Sequence, residues 1–119
     1  MEVPGSIGPN TAIFGSICAR HETFTLWPLI RRVDQVGTSK TYLTGLETQV
    51  LLYLLSWSPD EVSTEDIAIF LEGKDGRRAV ARASLAVRDI KRKLKKIIHT
   101  RLDYNTASTF KHYTKYVKV

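Results

Sequence analysis

Cysteine occurs once in this chain, at Cys18. No disulfide can close within the molecule, which fits a reducing compartment and leaves stability to the core. Long apolar runs are missing as well, and nothing approaches the ~20 residues that a membrane-spanning helix needs. The opening MEVPGSIGPN has neither the basic n-region nor the apolar h-region of a signal peptide. These absences lead to the expectation of a cytoplasmic, nucleoid-associated protein, or the soluble piece of something longer. Catalytic chemistry is equally sparse. His21, His99 and His112 stand far apart, with no H-x-x-x-H spacing and no cysteine partner to suggest a metal. No G-x-x-x-x-G-K-[ST] or G-x-G-x-x-G stretch is present to cradle a phosphate. Asp60-Glu61 and Glu65-Asp66 are paired acids, but helix starts account for them, and Ser84 has no base in evident reach. The expectation is a protein that is not an enzyme and takes no cofactor.

What is present is a chain of 119 residues, 43% hydrophobic and 25% charged, suited to one domain with one modest core. Its charge is unevenly spread. Residues 1–73 carry 4 Lys/Arg against 9 Asp/Glu, whereas residues 74–119 carry 14 against 3, so the net +6 conceals −5 followed by +11. Such polarity can steer a polyanion onto one end of a molecule.

The chain punctuates itself clearly. Residues 1–11, with Pro4, Gly5, Gly8 and Pro9, read as a loose, flexible lead-in to a single domain over 12–119. Within it, 12–44 has strand texture: AIFGSICA, TFTLW, LIRRVDQV and SKTYLT are short, rich in β-branched and aromatic residues, and separated by turn formers. From 45 to 98 the period changes to that of helices. Thr44 and Glu47 spell the T-x-x-E of a capping box, and Leu46, Val50, Tyr53, Leu54 and Trp57 follow as one face of a first helix. SPDE breaks it. Ser63 ahead of Glu65 and Asp66 opens a short second helix that buries Ile67, Phe70 and Leu71, and Gly73 is placed to end it. A long basic helix is predicted from about 77 to 98, with Val80, Ala83, Val87, Ile90, Leu94 and Ile97 as its apolar stripe. Residues 99–119 read as two strands around a polar tip at Asn105–Thr109. Strands, three helices and a hairpin, with a tight connection before a basic helix, describe an α+β fold of the winged helix-turn-helix type: a small N-terminal antiparallel sheet, three helices and a C-terminal β-hairpin wing.

The stretch YLTGLETQVLLYLLSWSPDEVSTEDIAIFLEG resembles the effector domain of the OmpR/PhoB/ToxR family of transcription regulators. Leu43, Thr44 and Glu47 match the L-T-x-x-E that opens the family's first helix. Val62, Ser63 and Glu65 or Asp66 match the V-S-x-E-x-L-like opening of its second. Val87, Ile90, Lys91 and Leu94 match the I-x-x-L-R-x-K-L end of its recognition helix, with conservative changes. The resemblance covers roughly residues 14–119. Two departures stand out: HYTKYVKV has no glycine where the family ends in a T-V-x-G-x-G-Y-like stretch, and Leu71-Glu72-Gly73 stands where it often has Trp-Gly. With no receiver domain ahead and no membrane helix behind, the chain reads as a stand-alone regulator or as the effector part of a two-component or ToxR-like protein.

On a helical wheel Arg78, Ala81, Leu85, Arg88, Arg92 and Lys96 lie opposite the apolar stripe of the basic helix, flanked by Arg82, Asp89 and Lys95. Small Ala81 beside arginines would let a backbone approach a major groove. The resemblance implies DNA contacts from the N-terminal half of this helix, carried over as Ala81, Arg82, Leu85, Ala86, Arg88, Asp89 and Lys91, with Arg82 and Arg88 the principal candidates. Two alternatives stay open. Leu85 either meets thymine methyl groups or packs against the first or second helix. Asp89 either accepts from a cytosine amino group or pairs with Arg92 or Lys93 on its own helix. Lys111, His112, Thr114 and Lys115 are the wing candidates for phosphate or the minor groove.

The function expected is sequence-specific binding of double-stranded DNA in transcription regulation, with a homodimer on repeated half-sites and RNA polymerase or another regulator as further partners. The competing expectations are a winged-helix module that docks on a protein, motivated by the unusual wing, Leu85, Trp27 and Trp57, and a non-specific nucleic-acid binder acting through charge alone.

Overall fold

In a computed structural model, residues 5–21, 24–35, 40–58, 60–94, 99–103, 109–113 and 116–118 are described, the last three segments through their backbone pairing. The chain is α+β. Strands β1 (Ala19–His21), β2 (Phe24–Trp27), β3 (Arg32–Gln35) and β4 (Thr41–Tyr42) form a small antiparallel sheet in the order β4-β3-β2-β1. Then come α1 (Gly45–Trp57), the short β5 (Val62–Ser63), α2 (Thr64–Glu72) and α3 (Arg77–Lys93). Strands β6 (His99–Asp103) and β7 (Thr109–Tyr113) pair antiparallel, and β5 joins the other edge of β7. The last strand, β8 (Tyr116–Lys118), leaves that group and pairs with β1. This third C-terminal strand was not expected from the sequence, where the tail read as two strands.

The sheet obeys the two-residue period. Ala19, Leu26 and Val33 stand in one cross-strand row and are fully buried, with Phe24 beside them. The opposite face carries Trp27, whose indole N–H donates to Asp34 at 3.1 Å while Arg32 lies over its ring at 5.6 Å. Two segments depart from the strand texture of 12–44. Thr11–Gly15 is a turn of 3-10 helix, and so is Pro28–Ile30. Each turn is closed by a backbone hydrogen bond, Ser16 N–H to Ile13 O in the first and Arg31 N–H to Pro28 O in the second, and local bonding of that kind competes with pairing to a neighbouring strand.

The lead-in is also firmer than its Pro/Gly content suggests. Gly8 N–H donates to Ser56 Oγ, and the Asn10 side-chain amide donates to Leu55 O and Ser58 O. Trp57 Nε1 reaches back to Ser6 O at 2.8 Å. The segment thus supplies partners for the carbonyls that α1 leaves open at its C-terminus. Glycine is required for this approach, since a Cβ at Gly8 would lie 2.3 Å from Ser56 O and 2.7 Å from the Trp57 ring.

Helix α1 is the centre of the core. Val50, Leu51, Tyr53, Leu54 and Leu55 are all buried, so the burial wraps further round the helix than the single face expected. Tyr53 stacks on Phe70 of α2 at 4.4 Å between centroids. Its start is the capping box read from the sequence: Glu47 N–H donates to Thr44 Oγ1 at 3.1 Å, and Thr44 N–H to Glu47 Oε1 at 2.9 Å. Helix α2 likewise begins at Ser63, whose hydroxyl accepts from Asp66 N–H, and ends on Gly73 in the left-handed region at φ 74°. Among the described residues, no helix is long and apolar enough to cross a membrane.

Glu47 also receives Lys93, whose Nζ lies 2.7 Å from the same Oε1 and 3.4 Å from Tyr42 O. Burial alone would raise the Glu47 carboxyl; the hydrogen bond from Lys93 and those from Thr44 outweigh it and hold the group below its ordinary value of 4.5. A carboxyl whose pKa is lowered by folding stabilises the fold above that ordinary value, and the contribution fades as pH falls through the lower, folded one. Glu47→Gln keeps an acceptor for the cap but removes the charge. It is expected to cost about 1.5 kcal/mol at pH 7, the lower end for a hydrogen bond to a charged group, because the Lys93 side chain is 30% exposed. Thermal melts of both proteins should converge as pH drops below 4.5. Gly8→Ala, by forcing a methyl into Ser56 and Trp57, should destabilise by about 1–3 kcal/mol in urea titration.

Candidate nucleic-acid interface

Helix α3 divides cleanly into two faces. Ala79, Ala83, Ala86, Val87 and Ile90 are buried against α1 and α2, followed by Leu94 just past the helix end. Three of these are alanines, and their small size lets the α3 backbone sit close to its neighbours. Val80, expected in the stripe, is only partly buried, and Ala79 takes its place. The other face exposes Arg77, Arg78, Ala81, Arg82, Leu85, Arg88 and Arg92. Asp89 and Lys91 are half-buried at its margins.

The structure redistributes several of the expected roles. Ala86, carried over as a contact residue, is 4% exposed and belongs to the core. It lies about 100° round the helix from Leu85, on the packing side. Leu85 is 46% exposed, so the packing alternative for this residue is set aside. Asp89 pairs within its own helix, with Arg92 at 3.1 Å and Arg88 at 3.8 Å, which is the second of the alternatives left open for it. Arg82 crosses to α2 and meets Glu72 at 3.3 Å. That pairing carried no sequence signal, because ten residues and the GKDG turn separate the two. Lys93, by contrast, faces Glu47 and serves as an anchor.

Helix α3 ends at Lys93, with Leu94 as its C-cap, short of the 98 expected from the stripe. The pairing of β6 with β7 begins at His99, and Lys95 and Ile97, expected on this helix, lie outside the described residues. Lys96, Thr114 and Lys115 lie outside the described residues. Lys111 and His112 lie on β7, the middle strand of β5-β7-β6, where Lys111 pairs with Ser63 and Arg101, and His112 with Val62 and Thr100.

The start of α3 differs in chemistry from those of α1 and α2. Its N-cap is Gly76, no side chain caps it, and no acid stands in its first turn. Arg77 and Arg78 are there instead, exposed and without an ion pair among the described residues. Cations at a helix N-terminus oppose the helix dipole, and free amides there are suited to an anion. Arg77 was not among the expected residues, although its place beside Arg78 could have suggested it. Among the described residues, no three His, Cys, Asp or Glu side chains come together to hold a metal ion.

No protein-family model, curated protein or solved structure matches this chain. The two faces of α3 make a direct test. Asp89→Ala, at an exposed pair of arginines, should shift folding free energy by no more than about 0.5 kcal/mol. Ile90→Ala, one residue on and fully buried, should cost about 2–5 kcal/mol. Urea denaturation of the two variants measures the contrast.

Proposed function

We propose that this chain is a sequence-specific, double-stranded DNA-binding transcription regulator of winged helix-turn-helix type, with α3 as the recognition helix and the β6–β7 hairpin as its wing. The observation that carries the reading is the exposed face of α3, where Arg77, Arg78, Arg82, Arg88 and Arg92 surround Ala81 and Leu85. A helix in a major groove needs cations for the phosphates and small or apolar groups that let its backbone near the base edges. The ion pairs on this face do not remove its charge from use, since exposed guanidinium–carboxylate pairs are weak and exchange readily for phosphate. The uncapped, doubly basic start of α3 suits a phosphate in the same way. In this reading the chain works near the nucleoid, as a homodimer on repeated half-sites, with RNA polymerase or another regulator as a further partner.

A docking role is the second reading. Leu29 is 91% exposed, Ile30 51% and Tyr42 61%, all around the β2–β3 connection and the neighbouring β4 rather than on the basic helix. A protein partner there would leave α3 free.

Selection from a random double-stranded DNA pool separates the two. The expected result is an enriched motif, with Arg88→Ala and Arg82→Ala each lowering affinity for it by about 1–3 kcal/mol. If about five phosphates are neutralised, log K should fall with log[salt] at a slope of about −4.5. Binding without enrichment, lost in moderate salt, would leave only a basic surface and favour the docking role.

A further inference from the structure

Leu85 is the only large hydrophobic side chain exposed on α3 among the described residues. Its neighbours one turn away on the helix are Ala81 and Arg82 on one side, Arg88 and Asp89 on the other, and two turns away stand Arg78 and Arg92. The arginines around it are not equivalent. Arg82 lies on Glu72, and Arg88 and Arg92 share Asp89. Arg78 has no carboxylate among the described residues and stands seven residues before Leu85, on the same line along the helix. Arg77 is also without an ion pair among the described residues but lies about 80° round the helix from Leu85, so the line through Leu85 has an apolar centre with one uncommitted guanidinium, Arg78, two turns toward the N-terminus.

A lone leucine ringed by charge is poorly suited to a protein interface. Such interfaces need on the order of 800 Å² from each partner, and their cores are depleted of charge. A ligand that is polyanionic overall, yet offers single apolar groups between its charges, fits better. Thymine in a major groove is that ligand, because its 5-methyl group stands among phosphates and polar base edges. An unpaired arginine in the same groove has its best partner in the O6 and N7 of guanine, which accept both of its parallel N–H bonds.

Resting on the DNA-binding reading above, we infer that Arg78 and Leu85 form a base-reading column on α3, in which Leu85 packs against the methyl group of a thymine and Arg78 hydrogen-bonds a guanine about three base pairs away. The spacing follows from the helix: seven residues advance about 10 Å along its axis, close to three steps of about 3.4 Å in the duplex. Asp89 is a positioning residue in this arrangement, holding Arg88 and Arg92 beside the column.

The test uses the whole chain and the duplex enriched from the random pool. Each thymine is replaced in turn by uracil, which removes only the methyl group, and affinities are measured for the native chain and for Leu85→Ala. At one position the native chain should lose about fourfold on the change to uracil, the effect of one buried methyl, while Leu85→Ala binds both duplexes equally. Replacing the guanine about three base pairs away should weaken the native chain tenfold or more and leave Arg78→Ala unaffected. Both side chains are exposed, so thermal melts of the two variants should match the native chain. Indifference of the native chain to every uracil, with selective binding retained, overturns the column and leaves the DNA-binding reading standing. Failure to enrich any duplex overturns both.

Discussion

The carboxylate of Glu47 is the point at which three parts of this fold are joined. One oxygen accepts from the Thr44 amide, closing the capping box that starts α1, and from the Lys93 ammonium at the far end of α3. Lys93 in turn reaches the Tyr42 carbonyl on β4. The sheet, the central helix and the basic helix therefore converge on one buried acid that is 5% exposed. The geometry suits the helix dipoles, with the anion at the N-terminus of α1 and the cation in the last turn of α3. Without its partners a carboxylate at this depth would be costly, and with them it ties the last turn of α3 to the start of α1.

That placement determines which residues of α3 meet solvent. Once Ala79, Ala83, Ala86, Val87 and Ile90 are committed to α1 and α2, the arginines have only the opposite side to occupy. The alanines matter as much as the larger residues, because a helix can pack closely only where its own side chains are small. The basic surface is thus a consequence of core packing, and the ion pairs on it adjust the charge locally. Glu72 and Asp89 each draw guanidinium groups toward themselves, and Arg77 and Arg78 remain at the uncapped helix start. The N-terminal segment acts at the other end of α1, where Ser6, Gly8 and Asn10 take up the open helix terminus. The C-terminal end of the central helix is therefore closed by a segment distant in sequence, whereas its start is capped locally by Thr44 and Glu47 and tied to α3 through Lys93.

How much was legible in the sequence depended on the range of the interaction involved. The capping box at Thr44 and Glu47, the Ser63 cap and the left-handed Gly73 are local devices, decided within three or four residues, and they could be read directly. The amphipathic division of α3 was readable for the same reason, since a period of 3.6 sorts residues onto faces before any partner is known. The wheel placed Val80 in the stripe, where it is only partly buried, and the family resemblance, not the wheel, put the buried Ala86 among the contacts, because which residue at the edge of a face is covered depends on how the neighbouring helices sit. The strand texture of 12–44 misled at Thr11–Gly15 and Pro28–Ile30, where local turn bonds prevailed over propensity.

By itself the sequence determined the succession of the three helices, the start and stop of α2, the cap of α1 and the cationic side of α3, because each rests on residues one or two turns apart. Only the tertiary structure decided that Lys93 is an anchor, that Arg82 faces Glu72, that Leu85 stays exposed and that β8 returns to β1. The first, second and fourth of these join groups brought together by chain folding over ten to about a hundred residues, and the third follows from where the core sets α3. No local pattern records such a meeting, since it exists only once the core has placed its helices and strands.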